Sequence, residues 1–291
     1  MSNTPQVVWD SPHGAEHVHA HYHDLLRRWP VPALQRTVDT AEGPTFVLAS
    51  GPEDAPPLLL LHGSASTATA WLGDVATWAR HFRVYAVDLI GEPGLSAPTR
   101  PPLGSDAYAR WLDDVLDALG VGATSIVGMS LGGWLAVDYA VRRPARVTRL
   151  ALLAPGGFGR QRTSFVLAAL LLRPFGTWGL RRTLRFALGA PLPTDTPAGQ
   201  ALVDHLLLVH RHFRPRRQRL PRFDAAALGA LRAPVLAIVG GRDRLLDSHA
   251  TRERLTTLVP GATVVLLPDT GHLLRGQTGR ILAHLTGDPG S

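Results

Sequence analysis

Short, continuously apolar runs alternate along this chain with longer stretches in which apolar residues recur at helical spacing. Leu58-Leu59-Leu60-Leu61 is apolar at every position, and the runs at 83–87, 125–127, 147–153, 234–239 and 263–267 have a similar character. Such runs suit strands of a parallel sheet buried on both faces. Between them the pattern predicts helices over 70–81, 105–119, 131–140, 248–259 and 277–286. An N-terminal helix is expected over 15–29, ended by Pro30 and Pro32. Two β-like runs, at 36–38 and 45–48, precede the first buried strand. Regular alternation of this kind argues for βαβ units with right-handed crossovers and a mostly parallel sheet flanked by helices. The rhythm breaks between Gly156 and about Ala230, where Pro-punctuated helical pieces read as a helical cap. The expected organisation over 1–291 is one α/β domain, with a core of 31–155 and 231–291 and a cap insert of about 156–230.

Composition narrows the class. The chain has 291 residues, 45% hydrophobic and 18% charged, which fits a globular protein with a substantial core. It has no cysteine, so disulfides, thiolate metal sites and cysteine nucleophiles are excluded. The N-terminus lacks the basic start and apolar core of a signal peptide. The longest apolar run, 165–172, is far shorter than the ~20 residues of a membrane span. A soluble, cytoplasmic protein is expected. The basic side chains are all arginine, and they are unevenly spread. Residues 156–222 carry 12 Arg against Asp195 and Asp204, a net +10, while the rest carries 18 Arg against 21 acids, a net −3.

The chemistry centres on Gly128-Met129-Ser130-Leu131-Gly132, a G-x-S-x-G motif between a strand-like and a helix-like run. A serine on so sharp a turn presents its hydroxyl above the sheet, with the Leu131 N–H pointing to where an oxyanion would form. A nucleophilic serine needs a base, and the base needs an orienting carboxylate. In open α/β sheets such groups gather at the carboxyl ends of strands. Asp243 and His272 sit just past the strands at 234–239 and 263–267. Asp247 is a rival for the acid, but reads as a helix cap; Asp269 reads as a turn former. The loop His62-Gly63-Ser64, just after Leu61, offers the Ser64 N–H as a second oxyanion donor.

Two other features carry candidate chemistry. His17, His19, His21 and His23 give i,i+4 pairs with metal-ligand spacing, but no carboxylate completes a site, and a solvated helix is the expectation. The cap arginines, notably Arg211, Arg214, Arg216, Arg217 and Arg219, read first as a solvated face. A weak contact with an anionic surface or substrate ranks second, and nonspecific nucleic-acid binding third. The run 165–172 could line an acyl pocket or form a lid face.

Together these motifs resemble the α/β-hydrolase fold family over nearly the whole length. The matches are Leu60-Leu61-His62-Gly63-Ser64, the loop Asp88 to Ser96, Gly128-Met129-Ser130-Leu131-Gly132-Gly133, Gly240-Gly241-Arg242-Asp243 and Gly271-His272, with Ser, Asp and His in the family's chain order. Within the family the chain is most similar to bacterial carboxylesterases with a short helical cap. The usual D-x-x-G-x-G-x-S loop carries one extra residue at Glu92-Pro93. The resemblance implies a serine esterase acting on a small or medium acyl ester through an acyl-enzyme, with Ser130, His272 and Asp243 as triad and Ser64 and Leu131 as oxyanion donors. It implies no metal or organic cofactor. Same-fold hydrolysis of lactones, thioesters or carbon–carbon bonds, perhydrolysis, and a non-catalytic ligand receptor remain alternatives. The serine argues against epoxide hydrolase and haloalkane dehalogenase chemistry, for which the family places Asp at this position. Oligomeric state is left open.

Overall fold

The computed structural model describes residues 8–162, 170–189, 191–192 and 194–287. Eight strands form one sheet: β1 (Ala33–Val38), β2 (Thr45–Ser50), β3 (Pro57–Leu61), β4 (Arg83–Val87), β5 (Thr124–Met129), β6 (Val147–Leu153), β7 (Val235–Gly240) and β8 (Thr263–Leu267). Their spatial order is β1-β2-β4-β3-β5-β6-β7-β8. The pair β1–β2 and the pair β2–β4 are antiparallel; every later pair is parallel, from Leu58↔Val84 to Gly240↔Leu267. Successive side chains of a strand face opposite sides of the sheet, so an all-apolar strand feeds two cores. Leu59 and Leu61 join one core with Trp111, Leu112 and Leu135, while Leu58 and Leu60 join the other with Tyr22, Trp71 and Trp78. The apolar runs are continuous because both faces of the sheet are covered.

Among the described residues the complete helices are α1 (Pro12–Leu26), α2 (Val75–Trp78), α3 (Ala107–Ala118), α4 (Leu131–Arg142), α5 (Gly176–Leu188), α6 (Pro197–His212), α7 (Ala225–Gly229), α8 (Ser248–Leu258) and α9 (Thr278–Thr286). α1 begins before the expected residue 15 because Ser11 caps it, its hydroxyl accepting from the Gly14 N–H at 3.0 Å, with Pro12 at the first helical position. The helix expected over 70–81 is a correction. Thr67 caps a 3-10 turn, Ala68–Trp71, and Gly73 separates it from the single turn of α2. Trp71, Val75 and Trp78 are buried at helical spacing, but on two short pieces.

Between β6 and β7 the chain leaves the sheet, forms α5 and α6, and returns along 220–223. There Trp134 of α4 donates its indole N–H to the Pro221 carbonyl at 2.9 Å and stacks on Phe223 at 5.8 Å. β7 then pairs with β6 through Leu150↔Val235, so the excursion does not interrupt the sheet. No helix among the described residues is long and apolar enough to cross a membrane.

Candidate active site

The loops after β3, β5, β7 and β8 all leave from the carboxyl end of the sheet, and they carry the residues singled out from the sequence. Ser130 follows β5 and precedes α4 with φ 52° and ψ −106°, a left-handed conformation that L residues avoid. Its backbone is fixed on both sides. Its N–H donates to the Leu153 carbonyl at 2.9 Å, and its carbonyl accepts from the Gly156 N–H at 3.1 Å and the Trp134 N–H at 3.0 Å. The turn depends on bare backbone: a Cβ on Gly132 would stand 2.0 Å from the Leu61 carbonyl oxygen, and one on Gly128 2.6 Å from the Gly132 carbonyl oxygen.

The loop after β3 lies against this turn. The Gly132 N–H donates to the His62 carbonyl at 3.1 Å, and the space beside the Gly63 Cα is 3.5 Å from the Ser130 Cβ. His62 is fully buried and neutral, and burial lowers its pKa to about 4. Its tautomer follows from its partners. The Leu89 N–H donates to Nε2 at 3.0 Å, so Nδ1 carries the proton and donates to the Gly63 carbonyl at 2.7 Å. Asp88 anchors the next loop, accepting from the Tyr22 hydroxyl and from the Ala68 and Leu95 N–H groups, each at 2.9 Å. Burial raises its pKa to about 6, against the pull of those donors.

Asp243 and His272 meet. The Asp243 Oδ2 lies 2.7 Å from the His272 Nδ1, while Oδ1 accepts from the Leu245 and Leu246 N–H groups at 2.7 and 2.9 Å. Asp243 is 1% exposed and His272 8%. The segment between β6 and β7 touches the same place, because the His272 N–H donates to the Leu188 carbonyl at the end of α5 at 2.7 Å. A carboxylate held by two amides and turned to Nδ1 selects the tautomer that leaves Nε2 as the acceptor. Ser130 and His272 share this end of the sheet without a hydrogen bond between their side chains. The two rival acids are engaged elsewhere. Asp247 caps α8, accepting from the Ala250 N–H at 3.2 Å, and Asp269 pairs with Arg242 at the surface.

Leu131 opens α4, and Ser64 is exposed on the loop after β3. That loop has a partner that the sequence did not single out for a role. Glu92, in the lengthened loop after β4, is 3% exposed and accepts from the Ala65 N–H at 2.6 Å and the Ser64 hydroxyl at 3.3 Å. The one signal for it was the extra residue at Glu92-Pro93.

The histidine run departs from a simply solvated helix. His17 and His23 are exposed, whereas His19 meets Trp9 edge-on at 5.2 Å and His21 stacks on His205 of α6 at 5.5 Å. No metal-ligand cluster of three or more His or acidic residues is present among the described residues. Of the apolar run 165–172, residues 165–169 lie outside the described residues. Leu170 and Leu171 are 65% and 64% exposed, so this end of the run does not line a pocket.

The model of the Alpha/beta hydrolase family matches residues 58–283. An uncharacterized carboxylesterase, nap, of Bacillus subtilis is 32% identical over 261 residues, covering 87% of this chain and 85% of the relative. Carboxylesterase YbfK of the same organism is 31% identical over 262 residues, covering 87% and 86%. The crystal structure of carboxylesterase CesB (YbfK) superposes with a TM-score of 0.81 at 29% identity, over 94% of this chain and 99% of that one. The eight-stranded sheet, the strained serine turn after β5 and these matches agree: the chain belongs to the alpha/beta hydrolase family and is similar to bacterial carboxylesterases.

Proposed function

We propose that the protein is a serine carboxylesterase acting on small or medium acyl esters. The observation that carries this is the 2.7 Å contact of Asp243 with the His272 Nδ1 at the sheet end where Ser130 is held at φ 52°. In the proposed reaction Ser130 Oγ attacks the acyl carbon while the His272 Nε2 takes its proton. Asp243 stabilises the imidazolium. The Leu131 and Ser64 N–H groups receive the charge on the carbonyl oxygen, each worth about 3 kcal/mol in the transition state. Collapse breaks the bond to the alkoxy oxygen, which leaves as the alcohol with the proton from Nε2. Water, deprotonated by the same nitrogen, then attacks the acyl-enzyme and releases the carboxylic acid and free Ser130. The names of the two Bacillus relatives support an ester as the substrate class.

The test is hydrolysis of p-nitrophenyl esters from acetate to decanoate by the wild type and Ser130→Ala. The variant is expected to lose at least about 10³-fold in kcat. Full activity in Ser130→Ala overturns the mechanism; an inactive wild type whose Ser130 still reacts with a fluorophosphonate redirects the reading to another acyl bond.

A specific observation favours a further contact of the cap with an anionic surface. The start of α5 and the residues before it leave Leu170, Leu171, Phe175 and Trp178 between 58% and 65% exposed, next to the exposed Arg173 and Arg182. Apolar and aromatic groups fringed by arginine suit the headgroup region of an acidic bilayer.

A further inference from the structure

Glu92 is a buried carboxyl that the triad does not use. It stands in the lengthened loop between β4 and α3, yet it turns inward to the loop after β3. There a single oxygen, Oε2, accepts from the Ala65 N–H at 2.6 Å and the Ser64 hydroxyl at 3.3 Å. Ala65 holds φ 54°, a left-handed conformation that a residue with a Cβ keeps only when its surroundings impose it. The orientation of the Ser64–Ala65 peptides depends on that turn. Burial raises the Glu92 pKa to about 7, against the pull of the Ala65 N–H and of the Arg100 and Arg216 charges. Each arginine is held in turn: the Arg100 Nε donates to the Gly91 carbonyl at 2.9 Å and its Nη2 to the Arg214 carbonyl at 2.7 Å, while the Arg216 Nη2 donates to the Tyr108 hydroxyl at 2.6 Å. Glu92 therefore joins the oxyanion loop to the segment by which the cap returns from α6.

We propose that Glu92 is a positioning residue for the reaction: its carboxyl oxygen pins the Ala65 N–H and thereby aims the Ser64 N–H at the substrate oxygen. The assignment rests on the reading of Ser130 as nucleophile and of the Ser64 N–H as an oxyanion donor. It makes a specific distinction among substitutions. Gln keeps an oxygen that accepts from Ala65; Ala removes the acceptor; Asp keeps the carboxyl but draws the acceptor back by one methylene.

The experiment measures kcat and KM on p-nitrophenyl butyrate, per site titrated with a fluorophosphonate, together with inhibition by phenylboronic acid, whose serine adduct places an oxygen in the oxyanion position. Glu92→Ala is expected to lower kcat about 10- to 100-fold, somewhat less than deletion of a donor itself, with KM within about threefold. Boronate inhibition should weaken by a similar factor. Glu92→Gln should recover kcat to within about threefold of the wild type. If Glu92→Ala does not fold, Glu92→Asp replaces it, with kcat lowered at an unchanged melting temperature. Wild-type kcat in Glu92→Ala (or in Glu92→Asp where it stands in), equal losses in Gln and Ala, or a rise in KM alone would overturn the assignment. The parallel Ser130→Ala variant separates the two readings: inactive Ser130→Ala beside fully active Glu92→Ala removes only the role of Glu92, whereas active Ser130→Ala removes both.

Discussion

Ser130 occupies a backbone conformation that costs free energy, on the order of 1–3 kcal/mol for such outliers, and the surrounding hydrogen bonds hold it there. The glycines around it decide whether the turn closes. Adding one methyl at Gly132 sets a carbon against the Leu61 carbonyl, which belongs to a central strand and has no freedom to retreat. Gly132→Ala is therefore expected to destabilise the protein by more than about 3 kcal/mol and to depress kcat beyond the loss of folded protein, read by thermal melts alongside active-site titration. A melting temperature within a degree of wild type would contradict the packing described here. At this scale the sequence was informative where chemistry depends on spacing. Ser130, Asp243 and His272 could be chosen because each follows an apolar strand. Glu92 could not, because its contact with the Ala65 N–H, 27 residues away in the chain, arises only in the fold.

Among the elements, the strands were the most legible: 83–87, 147–153 and 263–267 coincide with β4, β6 and β8 at both ends. Their polar residues, Arg83, Thr148, Arg149 and Thr263, stand at or near the strand starts, and the apolar run that follows each is unbroken. The helices were harder where a neighbour, and not a period, decides their surface. α1 presents histidines that read as polar, yet it packs on α6, where the His205 ring lies against His21 and Tyr22. Both His205 ring nitrogens are buried without a hydrogen-bond partner, and burial, reinforced by the charges of His21 and His19, lowers its pKa to about 3. Because the folded value lies below the unfolded one, the stability tied to neutral His205 is complete above about pH 6.5 and is lost as pH falls from there toward 3. His205→Leu removes that loss and the two unsatisfied nitrogens. Its unfolding free energy should exceed that of wild type, and the margin should widen by about 2 kcal/mol between pH 7 and pH 5, read by denaturant unfolding at each pH. A margin that is constant with pH would show that His205 is not the group responsible.

For the whole molecule, charge and apolar surface are distributed together. Residues outside 156–222 carry a net negative charge, while 156–222 concentrate arginine and, among the described residues, the exposed aromatic side chains Phe175 and Trp178. Vesicles containing phosphatidylglycerol are expected to sediment the protein at low salt, and neutral phosphatidylcholine vesicles to leave it in solution. Binding should fall as salt rises, and should fall at least about threefold in a Phe175→Ser, Trp178→Ser double variant with ester hydrolysis in solution unchanged. Equal retention of the double variant would assign the contact to charge alone.

The insertion point between β6 and β7 also orders the protein in time. Ser130 is synthesised before the segment between β6 and β7, whereas Asp243 and His272 come after it, on the loops that follow the last two strands of the sheet. At about 5–20 residues per second, the ribosome adds the 142 residues from Ser130 to His272 in roughly 7–30 s. During that interval the nascent chain holds the proposed nucleophile without its proposed base and acid. Under the proposed mechanism, hydrolysis begins only when the edge of the sheet is complete, so an interrupted translation product is chemically silent.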